Sequence, residues 1–320
     1  MRSALRTTPE GRPSLAVSQL EGSITPIVTP FKDGVIDQPA LTALIERQID
    51  AGSHGVSVGG TTGEPAALSL DERQTLIQQA VDDVDGRVPV LVGTGSVNID
   101  ETLHLTQFAQ ETGADAALVI VPYYVKPNQQ GLFDFFARVA QAVPDFPLVL
   151  YNIPGRAAVS LEPQTLARLS GDYRNIIGVK HSVKDLDAVS WTLKLCGPDF
   201  KVFCGLESLT YPMLALGGHG MVAATANWLP RDVAQMYDHV KAGEIEKARE
   251  LHYRLLEANE AIFWDTNPIP LKTVLAWMGL IEKEWRLPLG PTTPENEERL
   301  KDMAESYGLL EQPEGSVARS

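Results

Sequence analysis

One alternation constrains this chain more than any other feature. Between Gly22 and Lys241, short β-branched apolar runs are followed eight times by amphipathic helical patterns. GSITPIVTPF precedes a helix opened by Asp37 and Pro39, with Leu41, Leu44, Ile45 and Ile49 on one face. HGVSVGGTTGEP leads to a Ser69–Glu72 capping box ahead of Leu76, Ile77, Ala80 and Val81. VPVLVGTG is the third run, before a helix from Asn98 to a stop at Gly113. DAALVIVPYY, FPLVLYNIPGR, IIGVKHS, KVFCGLES and HGMVAATAN complete the set. Helices are predicted after them near residues 132–143, 161–169, 186–195 and 232–241, with a short one after the seventh run. Strands alternating with helices imply parallel βαβ units, and eight units in about 240 residues match an α/β (β/α)8 TIM barrel. A doubly wound sheet is the alternative. It usually carries a nucleotide fingerprint after its first strand, yet no GxGxxG follows VTPF and no Walker A sequence occurs.

Beyond residue 243 the pattern is helical only, near 245–263, 270–280 and 295–303. The predicted organisation is a disordered N-terminal extension (1–21), the barrel with the active site (22–242), a C-terminal helical domain (243–311) and a disordered tail (312–320). The first residues carry arginines but no apolar core segment. They read as an extension rather than a signal peptide, which makes the cytoplasm the expected location.

A barrel gathers chemistry where its strands end. The sixth run stops at Lys180, which there can act as a point charge or, if desolvated, as a neutral nucleophile. A strand-end lysine that merely reaches for water is the plainer reading. The second run ends in Gly59-Gly60-Thr61-Thr62-Gly63-Glu64, where glycines admit a ligand to backbone N–H groups and the hydroxyls add donors for a carboxylate. A tight turn with solvated threonines is the alternative. The fourth ends in Pro122-Tyr123-Tyr124; on a continuing strand the tyrosines face opposite ways, so at most one enters the mouth. The fifth ends in Tyr151-Asn152-Ile153-Pro154-Gly155-Arg156, a phenol followed closely by a guanidinium. That pairing offers a proton carrier and a bidentate carboxylate clamp.

Together these ends supply what imine chemistry on a keto acid requires. At pH 7 roughly one unperturbed lysine in a few thousand is neutral, and burial would raise that fraction. The amine attacks a ketone, water leaves, and the protonated imine makes the adjacent carbon acidic. The six histidines are scattered, with His181 and His219 read as nearer the mouth, and no spacing suggests a metal site. The two cysteines, Cys196 and Cys204, read as buried free thiols. The net charge of −14 argues against nucleic acid or an anionic membrane as partner, and no apolar run approaches the ~20 residues of a membrane span.

GGTTGE, PYY, YNIPGR, GVKHS, GGHGMVAATAN and TNPIPLK, in this order, resemble the dihydrodipicolinate synthase / N-acetylneuraminate lyase family of class I aldolases. The resemblance runs from about Gly22 to the C-terminal helices. It implies a lyase without cofactor or metal that joins pyruvate to a small aldehyde, or releases it from a hydroxy-keto acid. It implies Lys180 as the Schiff-base lysine and Tyr151 as the proton shuttle. Thr61 and Thr62, with the adjoining Gly60, would hold the pyruvate carboxylate, and Thr61 would also link to Tyr151. Tyr124 would cross a subunit contact to complete the relay, in a homotetramer built as a dimer of dimers. Arg156 would bind the second substrate's carboxylate, and Val222 would touch pyruvate through its backbone. The main expectation is a 4-hydroxy-tetrahydrodipicolinate synthase-like reaction. The chain departs from the synthases at GVKHS, where they often read GVKEA or GIKEA, and at Ala157, where threonine is common, while SHGVSVGGTTGEP and GVKHS also resemble a subgroup of aldolases; two alternatives are kept. One is a catabolic aldolase cleaving 2,4-dihydroxyhept-2-ene-1,7-dioate or a related acid, with His181 marking a different second substrate. The other is a non-catalytic keto-acid-binding barrel. Leu70 and Val97 stand where lysine-inhibited members carry histidine and asparagine, which argues against lysine feedback.

Overall fold

The computed structural model describes residues 17–310. The expected tail and the first sixteen residues of the expected extension lie outside the described residues. Residues 17–21 are described: Val17–Gln19 is a 3-10 turn, and Leu20 is buried inside the barrel just ahead of the first strand. An apolar residue at that point closes the barrel floor.

Eight parallel strands close into a barrel. They are β1 (Gly22–Pro26), β2 (Gly55–Val58), β3 (Val90–Gly93), β4 (Ala116–Ile120), β5 (Leu148–Asn152), β6 (Ile176–His181), β7 (Lys201–Cys204) and β8 (Gly220–Val222). Each pairs with the next, and β8 returns to β1 through Gly22 opposite Gly220 and Ile24 opposite Val222. The intervening helices are α1 (Gln38–Asp50), α2 (Leu70–Val84), α3 (Ile99–Thr112), α4 (Gln129–Ala142), α5 (Pro163–Asp172), α6 (Leu186–Cys196), α7 (Thr210–Ala215) and α8 (Pro230–Lys241). The caps act as the sequence predicts. Asp37 accepts from the Ala40 amide, Ser69 and Glu72 form a reciprocal box, and Asn98 accepts from the Asp100 and Glu101 amides. Gly113 ends α3 in the left-handed conformation with φ +90°.

Apolar side chains divide into an inner set (Ile24, Leu91, Leu118, Val149, Phe203, Val222) and an outer set facing the helices. Each fully buried side chain contributes roughly 1.5–3 kcal/mol. Two departures from the sequence reading matter for the site. First, Phe31–Lys32 and Val35–Ile36 form an antiparallel hairpin instead of prolonging β1. Second, β4 stops at Ile120 and does not run through the two tyrosines. Val121 donates the last bond, to the Tyr151 carbonyl at 3.0 Å, and Pro122 has no N–H to continue the ladder.

After α8 come α9 (Ile245–Ala261), α10 (Ile269–Trp277) and α11 (Pro294–Ser306). α10 is buried from Ile269 through Leu275, and the Trp228 indole donates to the Leu271 carbonyl at 3.1 Å. No helix among the described residues is long and apolar enough to cross a membrane.

Candidate active site

Lys180 owes its direction to an irregularity in β6. Opposite β5, Leu148 pairs with Ile176 but Val149 pairs with Gly178, so Ile177 is an extra residue in the ladder. Ile176 faces the outer layer and Ile177 the interior, while Val179 faces outward again. Strict alternation from Ile176 would turn Lys180 toward the helices. The bulge restores it to the inner face, where its register partners are the inward residues Tyr151 and Phe203. A glycine is needed beside the bulge: a Cβ on Gly178 would lie 2.4 Å from the Lys201 carbonyl oxygen.

The Lys180 side chain is buried, and its Nζ lies 4.3 Å from the centroid of the Tyr151 ring. The Thr61 hydroxyl donates to the Tyr151 phenol oxygen at 3.4 Å. Thr61 belongs to a 3-10 turn, Thr61–Gly63, pinned from below by the Thr29 hydroxyl on the Gly63 carbonyl at 2.7 Å. Next to it Glu64 takes the left-handed conformation, φ +55°, and turns its carboxylate into the protein.

A cavity of about 510 Å³ opens over this cluster, walled by Gly60, Thr61, Tyr123, Tyr151, Arg156 and Asn267 among others. Lys180, Thr62 and Val222 do not form its wall. All three are buried, Val222 within the inner apolar set. Arg156 sits on a one-turn helix, Pro154–Ala157, directly after β5, and its Nη2 donates to the Asn267 carbonyl at 3.1 Å. Tyr124 stays out of the cavity. It is 88% exposed with φ +72°, while Tyr123, which the sequence left undistinguished, lines the wall.

Both histidines expected near the mouth lie elsewhere. His181 follows the inward Lys180 and faces out. Its Nδ1 accepts from the Asn152 amide at 3.3 Å and its Nε2 meets the Thr192 hydroxyl at 3.2 Å. The Asn152 Oδ1 accepts from the Leu161 amide and Thr192 donates to the Ala188 carbonyl, which assigns the proton to Nε2. Burial pulls this imidazole down to about 4, against a weaker opposing pull from Asp185. It therefore belongs to the packing between barrel and helices. His219 precedes β8 at the floor end, where its Nδ1 accepts from the Val202 amide. Of the cysteines, both free, Cys204 is buried and Cys196 only half-buried, because α6 leaves its last turn partly open.

Two features of the site were missed in the sequence. Glu207, just past β7, is buried. It accepts from the Ala224 amide at 2.6 Å, its Oε2 has no side-chain partner, and burial pushes its carboxyl up, opposed first by backbone amide hydrogen bonds and then by the charge of Lys180. The acidic end of KVFCGLES was its only signal. The second is a clamp from the C-terminal segment. Lys272 on α10 meets Glu64 at 2.7 Å with both side chains fully buried. The Arg286 amide donates to Glu64 at 3.3 Å, and its guanidinium grips Glu72 at 2.6 and 2.7 Å. The Phe31 ring of the hairpin contacts both cations, its centre 4.3 Å from Lys272 Nζ and 4.6 Å from the Arg286 guanidinium. Burial pushes the Lys272 ammonium down and Glu64 opposes that shift.

Comparisons with known proteins agree with this architecture. The profile of the Dihydrodipicolinate synthetase family matches residues 19–307. The 4-hydroxy-tetrahydrodipicolinate synthase of Thermus thermophilus is 63% identical over 289 residues, which cover 90% of this chain and 97% of that protein. The crystal structure of dihydrodipicolinate synthase from Aquifex aeolicus superposes with a TM-score of 0.90 at 42% identity, covering 92% of this chain and 100% of that one. The chloride-inhibited dihydrodipicolinate synthase of Acinetobacter baumannii, solved with pyruvate, gives 0.88 at 34% identity, covering 91% and 100%. With its barrel, strand-end lysine and near-complete coverage, this chain belongs to the dihydrodipicolinate synthetase family.

Proposed function

We propose that the chain is a 4-hydroxy-tetrahydrodipicolinate synthase, a lyase that condenses pyruvate with aspartate semialdehyde through an imine on Lys180. The observation that carries this reading is the contact of Lys180 with Tyr151, itself bonded to Thr61 beneath the cavity that Arg156 overlooks. The Lys180 amine attacks the pyruvate ketone, and the carbinolamine loses water to give a protonated imine. Loss of a methyl proton gives an enamine, whose carbon bonds to the aldehyde carbon as the aldehyde oxygen takes a proton. Tyr151 and Thr61 carry these protons. Thr62 and Gly60 hold the pyruvate carboxylate, Val222 meets pyruvate through its backbone, and Arg156 takes the carboxylate of the aldehyde. Tyr124, turned away from its own cavity, serves the relay of a neighbouring copy in a homotetramer. The enzyme works in the cytoplasm without cofactor.

His181 faces the helices and has no path to a second substrate. The sequence feature that favoured a different aldol partner therefore has a packing explanation. The test is borohydride reduction with pyruvate followed by turnover with aspartate semialdehyde. A pyruvate-derived mass on Lys180 and condensation with this aldehyde are expected. Folded protein without an adduct rules out the imine mechanism. An adduct without turnover of this aldehyde, but with cleavage of hydroxy-keto diacids, transfers the chain to the catabolic aldolases.

A further inference from the structure

Asn267 precedes α10 and reaches two groups that the proposed reaction uses separately. Its side-chain Nδ2 donates to the Thr62 hydroxyl oxygen at 3.2 Å. Its main-chain carbonyl accepts from Arg156 Nη2 at 3.1 Å. The residue is buried, it lines the cavity, and its Oδ1 has no partner. Thr62 is buried as well, so water does not compete for its hydroxyl.

We infer that Asn267 is a positioning residue that sets the hydrogen-bond polarity of the site. A hydroxyl has one proton and two lone pairs. With the Asn267 amide on one lone pair, the Thr62 proton has no call to turn toward the C-terminal segment. It stays available as a donor to the keto-acid carboxylate. At the main chain the same residue occupies one N–H of Arg156, which fixes the guanidinium plane and leaves its other donors for the aldehyde's carboxylate. One residue thus holds a donor ready for each of two anions. The Lys272–Glu64 pair, five positions along, keeps this segment against the Thr61–Gly63 turn.

This inference rests on the proposed imine mechanism, and the test separates the two. Wild type, Asn267→Ala and Asn267→Asp are titrated with pyruvate, and borohydride-trapped adduct on Lys180 is measured by mass. No aldehyde is needed for this step. Asn267→Ala removes the donor, and the half-saturating pyruvate concentration is expected to rise about five- to tenfold. Asn267→Asp puts an acceptor where the donor was and a charge near the carboxylate, and a rise of about thirtyfold or more is expected. The Arg156 contact goes to the main chain, so the aldehyde KM of Asn267→Ala stays within about twofold, and its melting temperature falls by no more than the roughly 2–4 °C that one buried hydrogen bond is worth. Equal half-saturation in all three proteins overturns the inference and leaves the mechanism intact. So does a rise in Asn267→Ala matched by its aldehyde KM and a larger fall in melting temperature, because that marks a purely structural role. Absence of adduct in the wild type overturns the mechanism itself, and the inference with it.

Discussion

Lys180 and Tyr151 are register partners on adjacent strands, and the ammonium nitrogen lies 4.3 Å from the centre of the phenol ring. The barrel ladder itself sets their separation, with no loop between them. Lys180→Ala is expected to abolish both adduct and turnover. Tyr151→Phe keeps the ring against the amine but removes the hydroxyl proposed to carry the proton. Its kcat is expected to fall about 10²–10⁴-fold, with adduct still detectable after long trapping. Steady-state kinetics beside intact-protein mass spectrometry check both.

Gly205 provides a test that keeps the proposed nucleophile, Lys180, but displaces it. A Cβ there would lie 2.2 Å from Ser182 Oγ and 2.6 Å from Lys180 Cε. Both atoms belong to side chains, so the backbone can remain while Lys180 is pushed aside. A misplacement near 1 Å costs on the order of 10²-fold in rate. Gly205→Ala should therefore lose about that much kcat/KM while its circular dichroism stays that of the wild type.

The Glu64–Lys272 pair is fully buried, so its halves are not independent. Lys272→Met leaves the Glu64 carboxylate without its cation and is expected to cost about 3–5 kcal/mol of stability. The double variant Glu64→Gln/Lys272→Met should recover most of that loss. Urea unfolding of the wild type, Lys272→Met, Glu64→Gln and the double variant measures the coupling.

His181 makes stability depend on pH. In the unfolded chain its imidazole titrates near 6.5, while in the fold burial holds it near 4. Above pH 6.5 it is neutral in both states and contributes no difference. As pH falls from 6.5 toward 4, the unfolded state binds a proton that the folded state refuses. Stability drops over that window, by about 3 kcal/mol once pH 4 is reached. Urea midpoints at pH 7.5 and pH 5 should separate less in His181→Gln than in the wild type.

Local chemistry explains what could be read without coordinates. Asp37, the Ser69–Glu72 box, Asn98 and Gly113 act within a few residues of themselves, so their spacing reveals them. The β-branched runs announced the strands for the same reason. What escaped the sequence was set by partners far along the chain. Whether Lys180 faces in or out depends on one extra residue, Ile177, inserted against β5. The direction of His181 follows from that same register. The end of β4 before Tyr123 follows from Pro122, whose missing N–H is legible in the sequence itself. Nothing local in GGTTGE or TNPIPLK says that Glu64 meets Lys272, because that contact spans 208 positions.

That span also orders the birth of the enzyme. A ribosome adds about 5–20 residues per second, so roughly 10–40 s separate the synthesis of Glu64 from that of Lys272. Through that interval the Thr61–Gly63 turn has its glycines and hydroxyls but no counter-ion beneath it. The nascent barrel cannot seal the Glu64 carboxylate away from water until α10 has left the exit tunnel. Burial of the Glu64 carboxylate therefore waits for α10 and is not completed by closure of the eight strands alone.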